Sequence, residues 1–180
     1  MDSPSRNIEI KAKVRDLVGI ISKAKELSGK EAIKLNQKDI FYHSSSPSNR
    51  LKLREENGSG TLISYSRPDV EGPKLSKFKK CQVNDPSALS AVLEDALGLK
   101  GVVKKQRYLF LVGQTRVHID EVEGLGSFME LEVMLRDSQS VEEGQKIAQD
   151  LMSQLGVSET DLLAGAYMDM LLKHSETASN

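Results

Sequence analysis

Apolar and charged residues alternate with a period of two along much of the chain, the spacing at which successive side chains of a β-strand point to opposite faces. Over residues 7–14, Ile8, Ile10, Ala12 and Val14 share one face, and Asn7, Glu9, Lys11 and Lys13 share the other. Leu51 and Leu53 oppose Arg50, Lys52 and Arg54, and Val117 and Ile119 oppose Arg116, His118 and Asp120. Leu131, Val133 and Leu135 oppose Glu130, Glu132 and, after Met134, Arg136, while Lys105 and Arg107 begin a similar charged row. The pattern predicts about eight strands, near 7–14, 33–43, 49–55, 61–67, 76–83, 101–112, 114–121 and 126–136. Short turn clusters such as Ser44–Asn49, Gly58–Gly60 and Gly124–Gly126 join several of them, which favours antiparallel pairing.

Four segments carry helical spacing instead. Asp16 is positioned to cap a first helix through Leu17, Ile20, Ile21, Ala24 and Leu27. Asp85-Pro86 opens a second, with Leu89, Val92, Leu93, Ala96 and Leu97 on one face and Gly98 at its end. A third spans roughly 140–155, and a fourth is expected to open at Ser158 and Asp161 and run through Leu162, Leu163, Ala166, Met170 and Leu171. Helices that interrupt the strands without regular alternation indicate an α+β fold. One domain over residues 6–174 is expected, with 1–5 and 175–180 frayed.

Composition narrows the function classes. The 180 residues carry 25 basic and 26 acidic side chains for a net charge of −1, which argues against a dedicated duplex-DNA-binding protein. No apolar run approaches the roughly 20 residues of a membrane span, and the first residues lack a secretory core. The single cysteine, Cys81, has no internal partner and no neighbouring nucleophile motif, which suits a reducing compartment. A cytoplasmic location is therefore expected, with a nuclear one also open. No Gly-Lys-Ser/Thr follows the glycine pairs, so no phosphate-binding P-loop is present.

Two arrangements satisfy the charged strand faces. One is an antiparallel sheet with a solvated outer face. The other is a closed barrel whose apolar outside is covered by the helices and whose inside is a charged tunnel. Repetition over five strands, with acids and bases clustered on different ones, favours the tunnel; patterning alone does not decide closure. Like charges crowded inside a barrel repel, and unpaired buried charges cost several kcal/mol by order of magnitude. A polyphosphate anion would satisfy Lys11, Lys13, Arg50, Lys52, Arg54, Lys105, Arg107 and Arg116, and a hard cation would satisfy Glu9, Asp120, Glu130 and Glu132.

Asn7-Ile-Glu-Ile-Lys-Ala-Lys-Val14 resembles the opening strand of CYTH-domain proteins, the triphosphate tunnel metalloenzymes, whose signature is Glu-x-Glu-x-Lys. The likeness continues, in family order, through Arg50–Arg54, Leu62–Arg67, Lys105-Gln-Arg107, Thr115–Asp120, Leu125–Glu132 and Ala166–Leu171. Within the family the chain is similar to the branch of bacterial class IV adenylyl cyclases (CyaB-like). The resemblance implies an eight-stranded antiparallel barrel and a Mg2+ or Mn2+ ion. It further implies a triphosphate-bearing partner, either a small molecule or an RNA 5′ end. It makes Glu9, Asp120, Glu130 and Glu132 metal-ligand candidates, and assigns Lys13, Arg50, Lys52, Arg54, Arg67, Lys105, Arg107 and Arg116 to phosphates. Asn7 departs from the signature: an amide oxygen stands where the family has an acid, so metal affinity is expected to fall.

The chemistry expected of such a site is charge neutralisation and in-line alignment. Glu9 and Lys11 are the candidate catalytic residues, Lys11 as a base if its neighbours depress its pKa. Hydrolysis of the terminal phosphate is the leading reading, with cyclisation of ATP or binding without turnover as alternatives. Tyr65 and Tyr108 are candidates to position a base but are read first as packing residues. His118 is read as a hydrogen-bonding neighbour rather than a ligand, and Lys77–Lys80 as a solvated basic stretch.

Overall fold

In the computed structural model, which describes residues 5–46 and 48–178, the alternating segments become eight strands that close into a barrel. They are β1 (Ser5–Lys13), β2 (Ile33–Tyr42), β3 (Asn49–Glu56), β4 (Ser59–Ser66), β5 (Lys74–Val83), β6 (Leu99–Val112), β7 (Thr115–Val122) and β8 (Gly126–Met134). Around the barrel the order is β1-β5-β4-β3-β2-β6-β7-β8, and every neighbouring pair is antiparallel. Closure removes the unpaired edges that an open sheet would expose. Tight turns make this possible: Asn57 (φ 51°) and Gly58 (φ 81°) both take left-handed backbone between β3 and β4.

The apolar faces point outward and are covered by helices, so the hydrophobic core lies outside the barrel wall. Helices α1 (Leu17–Ser28) and α3 (Val141–Leu155) contribute Ile20, Ala24, Ala148, Leu151 and Leu155 against Ile8, Ile10, Val117, Ile119, Leu131 and Val133. Helix α2 (Pro86–Leu97) lays Leu89 and Leu93 on Ile40, Tyr42 and Leu53. Local sequence fixes the helix starts. Asp16 accepts from Gly19 N, Asp85 accepts from Ala88 N with Pro86 first in the helix, and Ser140 and Glu143 form a reciprocal capping box.

The fourth helix differs from expectation. Ser158 caps only a 3₁₀ turn at Glu159–Asp161, and α4 (Tyr167–Ala178) begins later. Between them Leu162 forms a bridge with Ala12, and Leu163 N donates to the Lys11 carbonyl at 2.9 Å. Leu162 and Leu163 have helical spacing, but the end of β1 offers backbone partners that hold them extended; Gly165, at φ 82°, then turns the chain into α4. At the chain ends, Ser5 pairs with Phe78 and α4 reaches Ala178. The remainder of the expected frayed ends, 1–4 and 179–180, lies outside the described residues.

Gly144 marks the closest approach of α3 to the barrel: a Cβ there would fall 2.5 Å from Leu135 Cδ2 and 2.7 Å from Ile8 Cγ1. Gly144→Val should therefore lower stability by about 1–3 kcal/mol, read from the midpoint of urea unfolding. An unchanged midpoint would mean that the helix does not seat on the wall at this point.

Candidate functional site

The inward faces enclose a cavity of about 200 Å³. Eight basic side chains line it (Lys11, Lys52, Arg54, Arg67, Lys80, Lys105, Arg107 and Arg116) against four acidic ones, Glu9, Asp39, Glu130 and Glu132. One end is closed by the segment that enters α4. Tyr167 and Met168 pack there with Phe41, Val103 and Phe128, and Gly165 O accepts from Lys11 Nζ (3.2 Å) and Arg67 Nη2 (3.0 Å).

Two aspartates organise four of the eight cations. Asp39 on β2 accepts from Lys52 (3.0 Å), from Lys105 (2.9 Å) and from both forks of Arg54 (2.7 Å each). Burial would raise its pKa, but Lys105, Lys52 and Arg54 hold it well below the usual carboxylate range. Lys105 responds oppositely. Burial, reinforced by Arg54, Arg107 and Lys52, outweighs the pull of Asp39 and brings its pKa down to about 7. Asp120 on β7, fully buried, takes both forks of Arg107 (2.7 and 2.6 Å) and the Tyr167 hydroxyl (2.9 Å). Arg107 also reaches Glu130 at 2.9 Å.

The remaining acids are less fully matched. Lys11 Nζ is 3.0 Å from Glu130 and lies 3.9 Å above the Tyr167 ring; burial lowers its pKa. Glu130 is held well below its usual value, because Lys11 and Arg107 outweigh its burial. Glu132 is raised, first by burial and then by Glu9, which stands directly opposite it on β1. Glu9 itself pairs with Arg67. His118 is buried and kept neutral by desolvation and by Arg107. Donor atoms of His118, Glu130 and Glu132 all lie within 4.8 Å of one another. This set suits a divalent cation, since Glu132 and Glu9 repel one another and the Nδ1 atom of His118 has no hydrogen-bond partner.

Most of the residues expected from sequence converge, but not all. Lys13 is exposed and does not line the cavity. Arg50 sits near the capped end with Asp69 and Asp169 and is also not among the lining residues. Asp120 has both oxygens engaged by Arg107 and Tyr167 and stands outside the His118–Glu130–Glu132 group. Asn7 lines the cavity, with its amide oxygen buried and unpartnered. Lys77, Lys79 and Lys80 are all exposed, and Lys80 also borders the cavity. Tyr65 also lines it, near Arg50, Lys52 and Arg67, while Tyr108 binds Glu121 through its hydroxyl. Sequence reasoning missed Asp39 and Tyr167. Asp39 was findable: it shares the two-residue phase of Gln37 and Phe41 on β2 and lies opposite Arg54.

The CYTH domain family matches residues 5–167. Over 176 residues the chain is 27% identical to MJ0240 of Methanocaldococcus jannaschii, provisionally named an adenylate cyclase, covering 91% of this chain and 97% of that protein. It is 25% identical to adenylate cyclase CyaB of Aeromonas hydrophila, covering 89% and 85%. In fold it is similar to HpAC1 of Hippeastrum, provisionally named an adenylyl cyclase and described as revealing a dominant triphosphatase activity. There the TM-score is 0.62 at 15% identity, covering 94% of this chain and 96% of the other.

The low pKa of Lys105 makes anion binding pH-dependent. A polyanion favours the charged amine and raises its pKa, so binding near pH 8 should take up protons, and affinity should fall as pH rises from 7 towards 9. Calorimetric titration with tripolyphosphate in buffers of different ionisation enthalpy reads the uptake directly. It should shrink in Lys105→Gln; the same uptake in both proteins would place Lys105 away from the anion.

Proposed function

The chain belongs to the CYTH domain family, and from that premise we propose that it is a metal-dependent phosphohydrolase acting on a triphosphate group held in the barrel. One observation carries this reading: twice as many basic as acidic side chains surround an enclosed cavity, beside carboxylates crowded enough to need a cation. Neutralised charge and fixed geometry are what phosphoryl transfer requires of a protein.

Arg54, Arg67, Arg107 and Arg116 would grip phosphate oxygens through paired N–H groups, with Lys52 and Lys105 acting as point charges. Glu9, Glu130 and Glu132 would hold the divalent ion, which when bound supplies neutralisation of charge on the phosphate oxygens. Lys11 is assigned to proton handling. In its neutral form the buried amine, oriented by Glu130 and Gly165 O, would take the proton from a water whose oxygen attacks the terminal phosphorus as the bond to the bridging oxygen breaks. Tyr167, at the start of α4, lines the cavity and packs on Phe128, so the α4 segment borders the chamber at that end.

Identity to the Aeromonas cyclase supports a second reading, in which a ribose 3′-hydroxyl attacks the α-phosphate of ATP and pyrophosphate leaves. Incubation with tripolyphosphate, ATP, thiamine triphosphate or 5′-triphosphorylated RNA, with Mg2+, Mn2+ or chelator, separates the two. Orthophosphate is expected; cyclic AMP with pyrophosphate would favour the cyclase, and tight binding without turnover would sink both. Glu130→Gln should lower metal-dependent turnover by about 10²-fold while the far-ultraviolet circular dichroism stays unchanged. Asn7→Glu should tighten metal binding by restoring the charge that the amide lacks, measured by competition with a fluorescent metal indicator.

A further inference from the structure

We propose that His118 is itself a ligand of the divalent ion, so that its Nδ1 with Glu130 and Glu132 forms a mixed nitrogen–oxygen site that prefers Mn2+ to Mg2+. This rests on the metal-dependent reading above and specifies the donors and the ion. His118 faces Glu130 across the β7–β8 ladder, so both side chains project into the barrel at one level. Its ring is 1% exposed, and its Nδ1 is a buried polar atom without a hydrogen-bond partner. Buried polar atoms are nearly always partnered, so an orphan aimed at two carboxylates calls for an explanation.

The distances supply one. Nδ1 lies 4.0 Å from a Glu130 oxygen and 3.8 Å from a Glu132 oxygen. Those gaps are too wide for hydrogen bonds, which run at about 2.7–3.2 Å. An ion about 2.1 Å from each donor would draw neighbouring donors to about 3.0–3.4 Å, so the three side chains would have to close by roughly half an ångström to an ångström around it. The other ring nitrogen, Nε2, is 3.5 Å from Arg116 Nε, at the outer limit of a contact. Arg116 is 43% exposed and only loosely paired with Glu132 at 3.6 Å, so it is free to swing towards a bound phosphate. Nε2 can then carry the ring proton while Nδ1 presents its lone pair to the ion.

Position 7 gives the donor its importance. Asn7 leaves the site one negative charge short of the family signature, and His118 adds a donor without restoring that charge. Mg2+ demands oxygen ligands and gives up its water reluctantly, so a site with fewer carboxylates and an imidazole suits it poorly. Imidazole is best suited to Zn, Cu, Fe and Ni; Mn2+ also takes oxygen ligands, but as a softer transition ion it accepts a nitrogen donor more readily than Mg2+ does.

Pulsed electron paramagnetic resonance on the full chain loaded with Mn2+, without substrate, tests the assignment. Nitrogen-14 coupling to the ion is expected, and it should change to the nitrogen-15 pattern when histidine alone is labelled. His118→Gln should abolish the coupling and weaken Mn2+ about 10-fold while changing Mg2+ affinity less than about 3-fold. Wild-type affinity for Mn2+ should exceed that for Mg2+ by about 10-fold or more. Should His118→Gln not fold, the labelled wild type together with His43→Gln and His174→Gln, which should keep the coupling, still identifies the ligand. Bound Mn2+ with no nitrogen coupling would overturn the assignment and leave the metal-dependent reading standing. Failure to bind Mn2+ even with tripolyphosphate present would overturn both.

Discussion

A barrel lined with charge folds only if those charges are neutralised internally, and the ion pairs of Asp39 are where this constraint is met most directly. Three cations converge on one buried carboxylate, each from a different strand or position: Lys52 and Arg54 on β3, Lys105 on β6. Removing a single member of such a group leaves uncompensated charge in a region of low dielectric. Asp120 plays the same part for Arg107 and ties Tyr167 to the wall. The two aspartates thereby let the basic strands close around a cavity without an anion in it.

What lies outside their pairing is the site. Glu9, Glu132 and Glu130 crowd on adjacent strands, His118 contributes an unpartnered nitrogen, and the lining remains basic in excess. The same cations that hold Asp39 are those a phosphate would recruit, so binding has to compete with an existing ion-pair network. Under the proposed function, this competition would make anion binding respond to pH through Lys105.

The reversed polarity of the barrel shapes everything outside it. With charge on the inward faces, the apolar faces need cover, and α1, α2 and α3 supply it. The fourth helix serves a different end. Its leading segment gives up helical spacing at Leu162 and Leu163 to pair with β1, which brings the Gly165 carbonyl and Tyr167 over one mouth of the tunnel. Lys11 is thereby oriented from two sides, by Glu130 and by Gly165.

Much was legible in the sequence because it is encoded locally. The two-residue alternation marked the strands, their faces and most of the lining residues; Asp16 and Asp85-Pro86 marked helix starts. The ordered likeness to the family turned an ambiguous wet-faced sheet into a closed barrel. Other features depend on which strands meet across the barrel, and no local pattern carries that. Lys13 has the phase of Lys11 yet emerges at the rim, since β1 ends there. Asp120 has the phase of a ligand, but the β6–β7 register sets it opposite Arg107, which takes both its oxygens. Asp39 has the inward phase of β2 without drawing notice in the sequence, and His118 reads there as a hydrogen-bonding neighbour. Tertiary structure alone made one the counter-ion of three cations and left the other, buried between two carboxylates, with a nitrogen still to be satisfied.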